Sequence, residues 1–173
     1  SLHDALPISL AELGDLPWRW TIAGHRYDED SYANRTREIL ERTPHRERTT
    51  AVPATPPEKL TPYYREAQIF LLPSYMESYG LVYAEALSHG VPVVAYAAAA
   101  VPSIVADAGC LVSPGSRAGP DPLARAIRQL LEDGTATLRE RARARAALLP
   151  RWQEVREGFL HAARGLAGNR GRS

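Results

Sequence analysis

An α/β domain, with a parallel sheet covered by helices on both faces, is what this sequence predicts, and three stretches predict it. Ile69-Phe-Leu-Leu72 is a short apolar run that stops at Pro73, as a strand buried on both faces does. Gly80 to His89 is rich in helix formers and is followed by Gly90, the usual helix stop. Val91-Pro-Val-Val-Ala95 is a second buried run. Strand, turn, helix and strand form a right-handed crossover unit, whose ligand normally lies outside the carboxyl ends of the strands.

The remaining elements follow from local pattern. Trp18 to Ala23 alternates large β-formers and ends at Gly24, a strand entering a loop. Tyr27 to Arg42 carries helix formers, with Tyr32 and Ile39 spaced for one face. Residues 43–62 hold five prolines, so a strand near Thr49 to Val52 is short and the rest is loop. Tyr63 to Ala67 reads as a short helix. After Ala95 come a small-residue loop through Pro102, a helical turn from Ser103 to Asp107, and a strand at Cys110-Leu-Val112. Leu123, Ala126, Ile127, Leu130 and Leu131 form the apolar stripe of a helix laid on a sheet, with Asp121 as its N-terminal acid. Arg139, Arg141, Arg143 and Arg145 advance about 200° per step around the next helix and read as a solvated face. Pro150 breaks that helix, and Trp152, Val155, Phe159 and Leu160 suggest a last one. The opening SLHDALPIS has no strand or helix pattern and reads as a truncated or foreign start.

Bulk properties narrow the function classes. A chain of 173 residues, 45% hydrophobic, can bury one core. With 21 basic and 20 acidic residues, its charge balance offers no nucleic-acid surface. One cysteine, Cys110, and five scattered histidines give neither an internal disulfide nor metal-ligand spacing. The expectation is a cytoplasmic protein, since the chain has neither a signal-peptide pattern nor an apolar run of the roughly 18 residues that cross a bilayer. Cys110 is expected to pack as a small hydrophobe, and His89 to meet the carboxyl end of its helix as a cation. His25, after a strand-ending glycine, reads as an ordinary loop residue, with approach to a ligand as the lesser alternative.

Chemistry concentrates between Pro73 and Ala95. The turn Ser78-Tyr79-Gly80 opens a helix, whose first amides and positive dipole end make a seat for phosphate oxygens. Gly80 permits close approach. Glu85 lies one turn after Leu81 on the same face, and a carboxylate accepts the two hydroxyl hydrogen bonds of a ribose diol well. Glu77, just before the helix, faces whatever lies beyond the phosphates. The plainer alternative makes Glu77 a helix cap and Glu85 a partly exposed helical residue.

The stretch IFLLPSYMESYGLVYAEALSHGVPVVA resembles the donor-binding domain of retaining glycosyltransferases of the two-domain GT-B architecture, glycosyltransferase family 4 in particular. Its hallmark, two glutamates separated by seven residues, is present as Glu77-SYGLVYA-Glu85. VPSIVADAGCLVSPG resembles the family's next block and WRWTIAG the strand and glycine loop before it, so the resemblance covers roughly residues 17–165. The fold implied is a Rossmann-like sheet, the carboxy-terminal half of GT-B with its first strand incomplete. Its domains are an irregular segment over 1–16, the nucleotide-sugar-binding domain over 17–165 and a frayed tail over 166–173.

The resemblance implies that Glu85 holds the ribose of a nucleoside-diphosphate sugar and that Glu77 contacts the transferred sugar without acting as a nucleophile. Gly80, Leu81 and Val82 would give their amides to the diphosphate, with Tyr79 beside the donor. Transfer would retain the anomeric configuration and need no obligatory metal. Neither the glycine-arginine turn nor the lysine-glycine pair that follow the family's first strand is found in residues 1–17; Gln68 stands where an acid is common, and Ala99, Ala100 and Ser103 replace the usual glycines and acid. The acceptor is not identified, and the amino-terminal acceptor domain, the usual source of membrane association in such enzymes, is missing from the sequence. Two alternatives stay open: a non-catalytic nucleotide-binding or interaction domain of the same fold, and an epimerase or phosphorylase on the same plan.

Overall fold

The computed structural model describes residues 2–25, 38, 41, 45–53, 55–114 and 121–150. The helix expected over 27–42 lies outside them apart from helical backbone at Glu38 and Glu41, as do the last expected helix and the tail. The elements are α1 (Leu2–Ala11), β1 (Trp20–His25), a 3-10 turn (Arg46–Arg48), β2 (Thr49–Pro53), α2 (Pro57–Glu66), β3 (Phe70–Leu72), α3 (Leu81–Ser88), β4 (Val93–Tyr96), α4 (Val101–Val105), β5 (Gly109–Val112), α5 (Pro122–Asp133) and α6 (Ala136–Leu148).

All strand pairs are parallel, as the apolar runs predict. β4 lies centrally between β3 and β5, with Phe70 opposite Val93, Leu72 opposite Ala95, and Val93 opposite Gly109. β1 and β2 form a separate pair, from Trp20 opposite Thr49 onward. The five strands therefore divide into a two-stranded and a three-stranded sheet.

β4 is buried along its whole length, and its alternation supplies two cores. Val94 and Tyr96 point to a layer made by Leu10, Leu13, Trp18 and the apolar stripe of α5, Leu123, Ile127 and Leu130. Val93 and Ala95 point to the opposite layer, with Tyr83 and Leu87 of α3, Val101 and Val105 of α4, and Ala142 of α6. Each such aliphatic side chain contributes about 1.5–3 kcal/mol by leaving water. At Gly109 any larger residue would drive its Cβ into the Val93 carbonyl, so glycine sets the spacing of β4 and β5.

The structure differs from the sequence-based expectation in several places, among them β1, which does not stop before Gly24 but runs on to His25. Residues 1–16 are not irregular: α1 runs from Leu2 to Ala11, and the Ser9 hydroxyl donates to Asp121, which also accepts the Leu123 amide at 3.0 Å and so starts α5. The helix expected at Tyr63 begins six residues earlier, because Pro57 sits at its first turn, where a missing N–H costs nothing. The helical turn expected from Ser103 starts at Val101. The arginines of α6 form a solvated face only in part: Arg141 and Arg143 are exposed, while Arg139 and Arg145 are half-buried. Arg139 Nη1 donates to the Ala67 carbonyl at 2.9 Å, Arg145 Nε to the Ile104 carbonyl at 2.9 Å and its Nη2 to Ser103, and Arg141 lies 3.8 Å from Asp107. Three of the four thus tie α6 to the end of α2, to α4 itself and to the turn that follows it.

On the other side, Arg128 of α5 makes a two-pronged bond to Asp15, 2.8 Å on each prong. The guanidinium beside it holds the Asp15 carboxyl down at about 2, from an ordinary 3.8. The folded-state pKa is the lower one, so this pair adds stability above about pH 4 and loses it as pH falls toward about 2. Asp15→Asn should therefore lower the urea midpoint slightly at neutral pH, and the gap from the unsubstituted chain should close on acidification; a gap that does not depend on pH would refute the assignment. No helix among the described residues is long and apolar enough to cross a membrane.

Candidate functional site

The turn from Pro73 to Gly80 leaves the carboxyl end of β3 and delivers the chain to the amino end of α3. Its geometry depends on Gly80, which has φ +60° and begins the helix. A Cβ there would run into Ile104 Cδ1 and lie 3.2 Å from Tyr83 Cδ2. Both position and conformation therefore require glycine. The amides of Tyr83 and Ala84 turn back to the Gly80 carbonyl, at 3.0 and 3.1 Å. Leu81 and Val82, the first two helical residues, have no preceding turn to receive their amides, and no side chain caps this end. Both are exposed, as are Tyr75, Met76 and Tyr79. Tyr79, at 82% exposure, does not fill the turn; it stands out from it.

Glu77 is half-buried and closes this turn: its Oε1 accepts the Gly80 amide at 3.0 Å. Its carbonyl accepts the Ala100 amide at 3.3 Å, which brings the loop after β4 against the same turn. That loop carries Ala99 at φ +48°, a glycine-favouring conformation at one of the positions where the resemblance has glycine. Inside the turn, Tyr83 is fully buried and its hydroxyl donates to the Leu72 carbonyl at 2.7 Å. Burial first, and then the Glu77 charge, push the Tyr83 phenol up to about 12. The capping role considered for Glu77 is thus met only in part: one carboxylate oxygen closes the turn on the Gly80 amide, and no helical amide is capped.

Glu85 lies in the second turn of α3. It is half-buried, and near it the Tyr64 phenol of α2 is pushed up to about 12, by burial first and then by the Glu85 charge. Tyr64 stacks on His89 with ring centres 5.0 Å apart and planes 8° from parallel. His89 therefore packs on an aromatic ring instead of only facing the helix dipole. Glu77 stands in the turn just before α3 and Glu85 one turn into it. The His25 side chain lies outside the described residues, and Cys110 is half-buried, its thiol pushed up by burial. Among the described residues no cluster of histidine, cysteine, aspartate and glutamate could hold a metal ion.

The sequence did not single out Tyr64, Tyr83, Ala100 or Ile104 as supports of the site. Tyr83 was discoverable from the helix period, being two positions from Leu81 and two from Glu85 and so on the inward face. Tyr64 and Ile104 act across elements far apart in the chain, and no local pattern marks them.

The fold recurs in solved structures. Sucrose-phosphate synthase from Thermosynechococcus elongatus matches 96% of this chain and 43% of its own length, with TM-score 0.82 and 26% identity. Anabaena HepE, solved in complex with UDP, matches 93% of this chain and 44% of its own, with TM-score 0.76 and 22% identity. Among curated proteins, D-inositol 3-phosphate glycosyltransferase of Corynebacterium aurimucosum is 38% identical over 112 residues, 64% of this chain and 25% of that protein. The same-named protein of a Mycobacterium species is 43% identical over 103 residues, 58% of this chain and 23% of its own length. The chain thus spans about a quarter of the length of these relatives. The family model described as "Glycosyl transferases group 1" matches residues 1–133, including the opening segment that the sequence-based resemblance left out. With that match over most of the chain, and a Rossmann-like GT-B fold, this protein belongs to the group 1 glycosyltransferases.

Proposed function

We propose that this chain is the donor-binding, carboxy-terminal part of a retaining glycosyltransferase of the family 4 type, taking a nucleoside-diphosphate sugar. The observation that carries the reading is the exposed amino end of α3 at the carboxyl end of β3, with Glu77 in the turn before it and Glu85 one turn into the helix. Diphosphate oxygens would meet the amides of Leu81 and Val82 and the positive end of α3, where anionic charge is stabilised. Gly80, whose amide is turned to Glu77, shapes that seat. Glu85 would accept the ribose hydroxyls. The second oxygen of Glu77, which has no hydrogen bond among the described residues, would accept a hydroxyl of the transferred sugar. Tyr79, exposed beside the helix start, would lie along the donor.

In this reading no protein nucleophile or metal is invoked. The acceptor oxygen attacks the anomeric carbon from the face that the diphosphate leaves, and the negative charge that develops on the diphosphate is held by the preorganised amides. A facing domain would supply the acceptor wall and a cytoplasmic setting would supply the donor. UDP in the HepE structure and in the pneumococcal GtfA structure supports a nucleotide on this fold.

The test is calorimetric titration and thermal shift with UDP, GDP and ADP and their glucose and mannose conjugates. One nucleotide should raise the melting temperature, because a ligand that binds only the folded state stabilises it. Glu85→Ala should weaken that binding at least about tenfold, as expected for charge-assisted hydrogen bonds of about 1.5–3 kcal/mol, with circular dichroism unchanged. A folded Glu85→Ala variant that binds with the original affinity would overturn the ribose assignment.

A further inference from the structure

We propose that the outer edge of β5 pairs with β5 of a second copy of this chain, so that two three-stranded sheets join into one about a two-fold axis at Cys110. The inference is independent of the donor reading. β4 occupies one edge of β5, and the direction of the main-chain groups shows what the other edge offers. The Val93 amide donates to the Ala108 carbonyl and the Ala97 amide to the Val112 carbonyl, so Ala108, Cys110 and Val112 turn their main-chain groups to β4. By alternation Gly109 and Leu111 turn theirs away from the sheet. No strand among the described residues pairs with them. Nor does β5 contain the proline or lysine that commonly blunts such an edge.

An isologous contact needs a patch that complements itself, and this one does so in three ways. Antiparallel pairing about Cys110 sets Gly109 opposite Leu111 of the second copy and Leu111 opposite its Gly109, each pair exchanging both main-chain bonds. The helices fit the same axis. α5 packs on both β4 and β5, which puts it about 5 Å from an axis midway between the joined edges; its two-fold mate then runs about 10 Å away, the ordinary spacing of packed helices. The cleft of about 420 Å3 between β5 and Pro122, Arg125 and Gln129 of α5 is the space that the second helix closes. Charge agrees as well. Arg125, in the amino half of α5, and Asp133, at its carboxyl end, are both exposed and in no ion pair among the described residues. Antiparallel alignment turns each Arg125 toward the Asp133 end of the other helix.

Sedimentation equilibrium of the full chain, kept reduced, should show a reversible monomer–dimer equilibrium of the 19.0 kDa species. Diamide should then link the dimer through Cys110, the chain's single cysteine, because facing residues of a non-hydrogen-bonded antiparallel pair have Cα atoms about 4.5 Å apart, within disulfide reach. Arg125→Asp and Asp133→Arg should each weaken association about three- to tenfold, and the double variant should recover it. The two residues lie about 12 Å apart along one helix, so only a contact between copies accounts for that recovery. Leu111→Pro, which removes an outward amide, should abolish the dimer while circular dichroism stays that of a folded chain; the charge exchange tests the same face without touching the sheet. A chain that stays monomeric at millimolar concentration overturns the proposal. A dimer that does not cross-link through Cys110, or that the double variant does not restore, uses another face and overturns it too.

Discussion

Tyr83→Ala is expected to lower the free energy of unfolding by about 3–5 kcal/mol, the usual cost of truncating a buried aromatic residue. Against the total of about 5–15 kcal/mol typical of a domain, that loss leaves a marginal fold. Tyr83 is wholly buried, edge-on to Phe70 at 5.8 Å, and its removal opens a cavity among Leu87, Val93 and Val101 at the junction of α3, β4 and α4. Tyr83→Phe separates packing from the hydroxyl. The Leu72 carbonyl that accepts the phenol also accepts the Ser74 amide at 2.9 Å, so it keeps a partner, and the loss should be near about 0.5–1 kcal/mol. Urea denaturation of both variants checks this; an alanine variant no less stable than the phenylalanine one would show that the core assignment is wrong.

The second large effect is expected at Gly80. An L-residue at φ +60° costs about 1–2 kcal/mol, and any Cβ must also push Ile104 aside. Gly80→Val should therefore destabilise by about 2–4 kcal/mol, since β-branching adds to the strain, whereas Gly80→Asn, which tolerates the left-handed region, should lose less. Binding should suffer in both. The Gly80 amide is what holds Glu77, and shifting it misaims the helix start, so nucleotide affinity should fall at least about tenfold even in the variant that folds well. Equal stability of the valine and asparagine variants would contradict the backbone argument, and full nucleotide affinity in a folded Gly80→Asn would contradict the role given to the turn.

How legible this was in the sequence depended on how local the determinants were. The β3, α3 and β4 unit could be read almost to the residue, because the apolar runs, Gly90 and the prolines are local signals and the strands are buried on both sides. Asp121 was recognisable as the acid that opens α5 for the same reason. Prolines misled elsewhere. Pro57 and Pro62 both lie within a helical span, where their stretch had been read as loop from its prolines. At the site, Glu77, Gly80 and Glu85 belong to one stretch of chain and were legible together. Their supports were not, because Tyr64, Ala100 and Arg139 reach their partners only once the sheet has brought distant segments together. The α6 arginines show the limit of periodicity. It gave their angular spread correctly, but not that carbonyls of other elements would be waiting for them.

The division of the strands into two sheets matters for how the molecule behaves in solution. Trp20 of β1 and Leu71 of β3 pack against one shared core, yet no ladder of main-chain bonds joins their strands among the described residues. Side-chain burial is thus satisfied where backbone pairing is not, and an extended segment added at either edge would gain hydrogen bonds without having to create a new core. Pro53 closes β2 and Pro73 follows β3 directly, which keeps such an edge short.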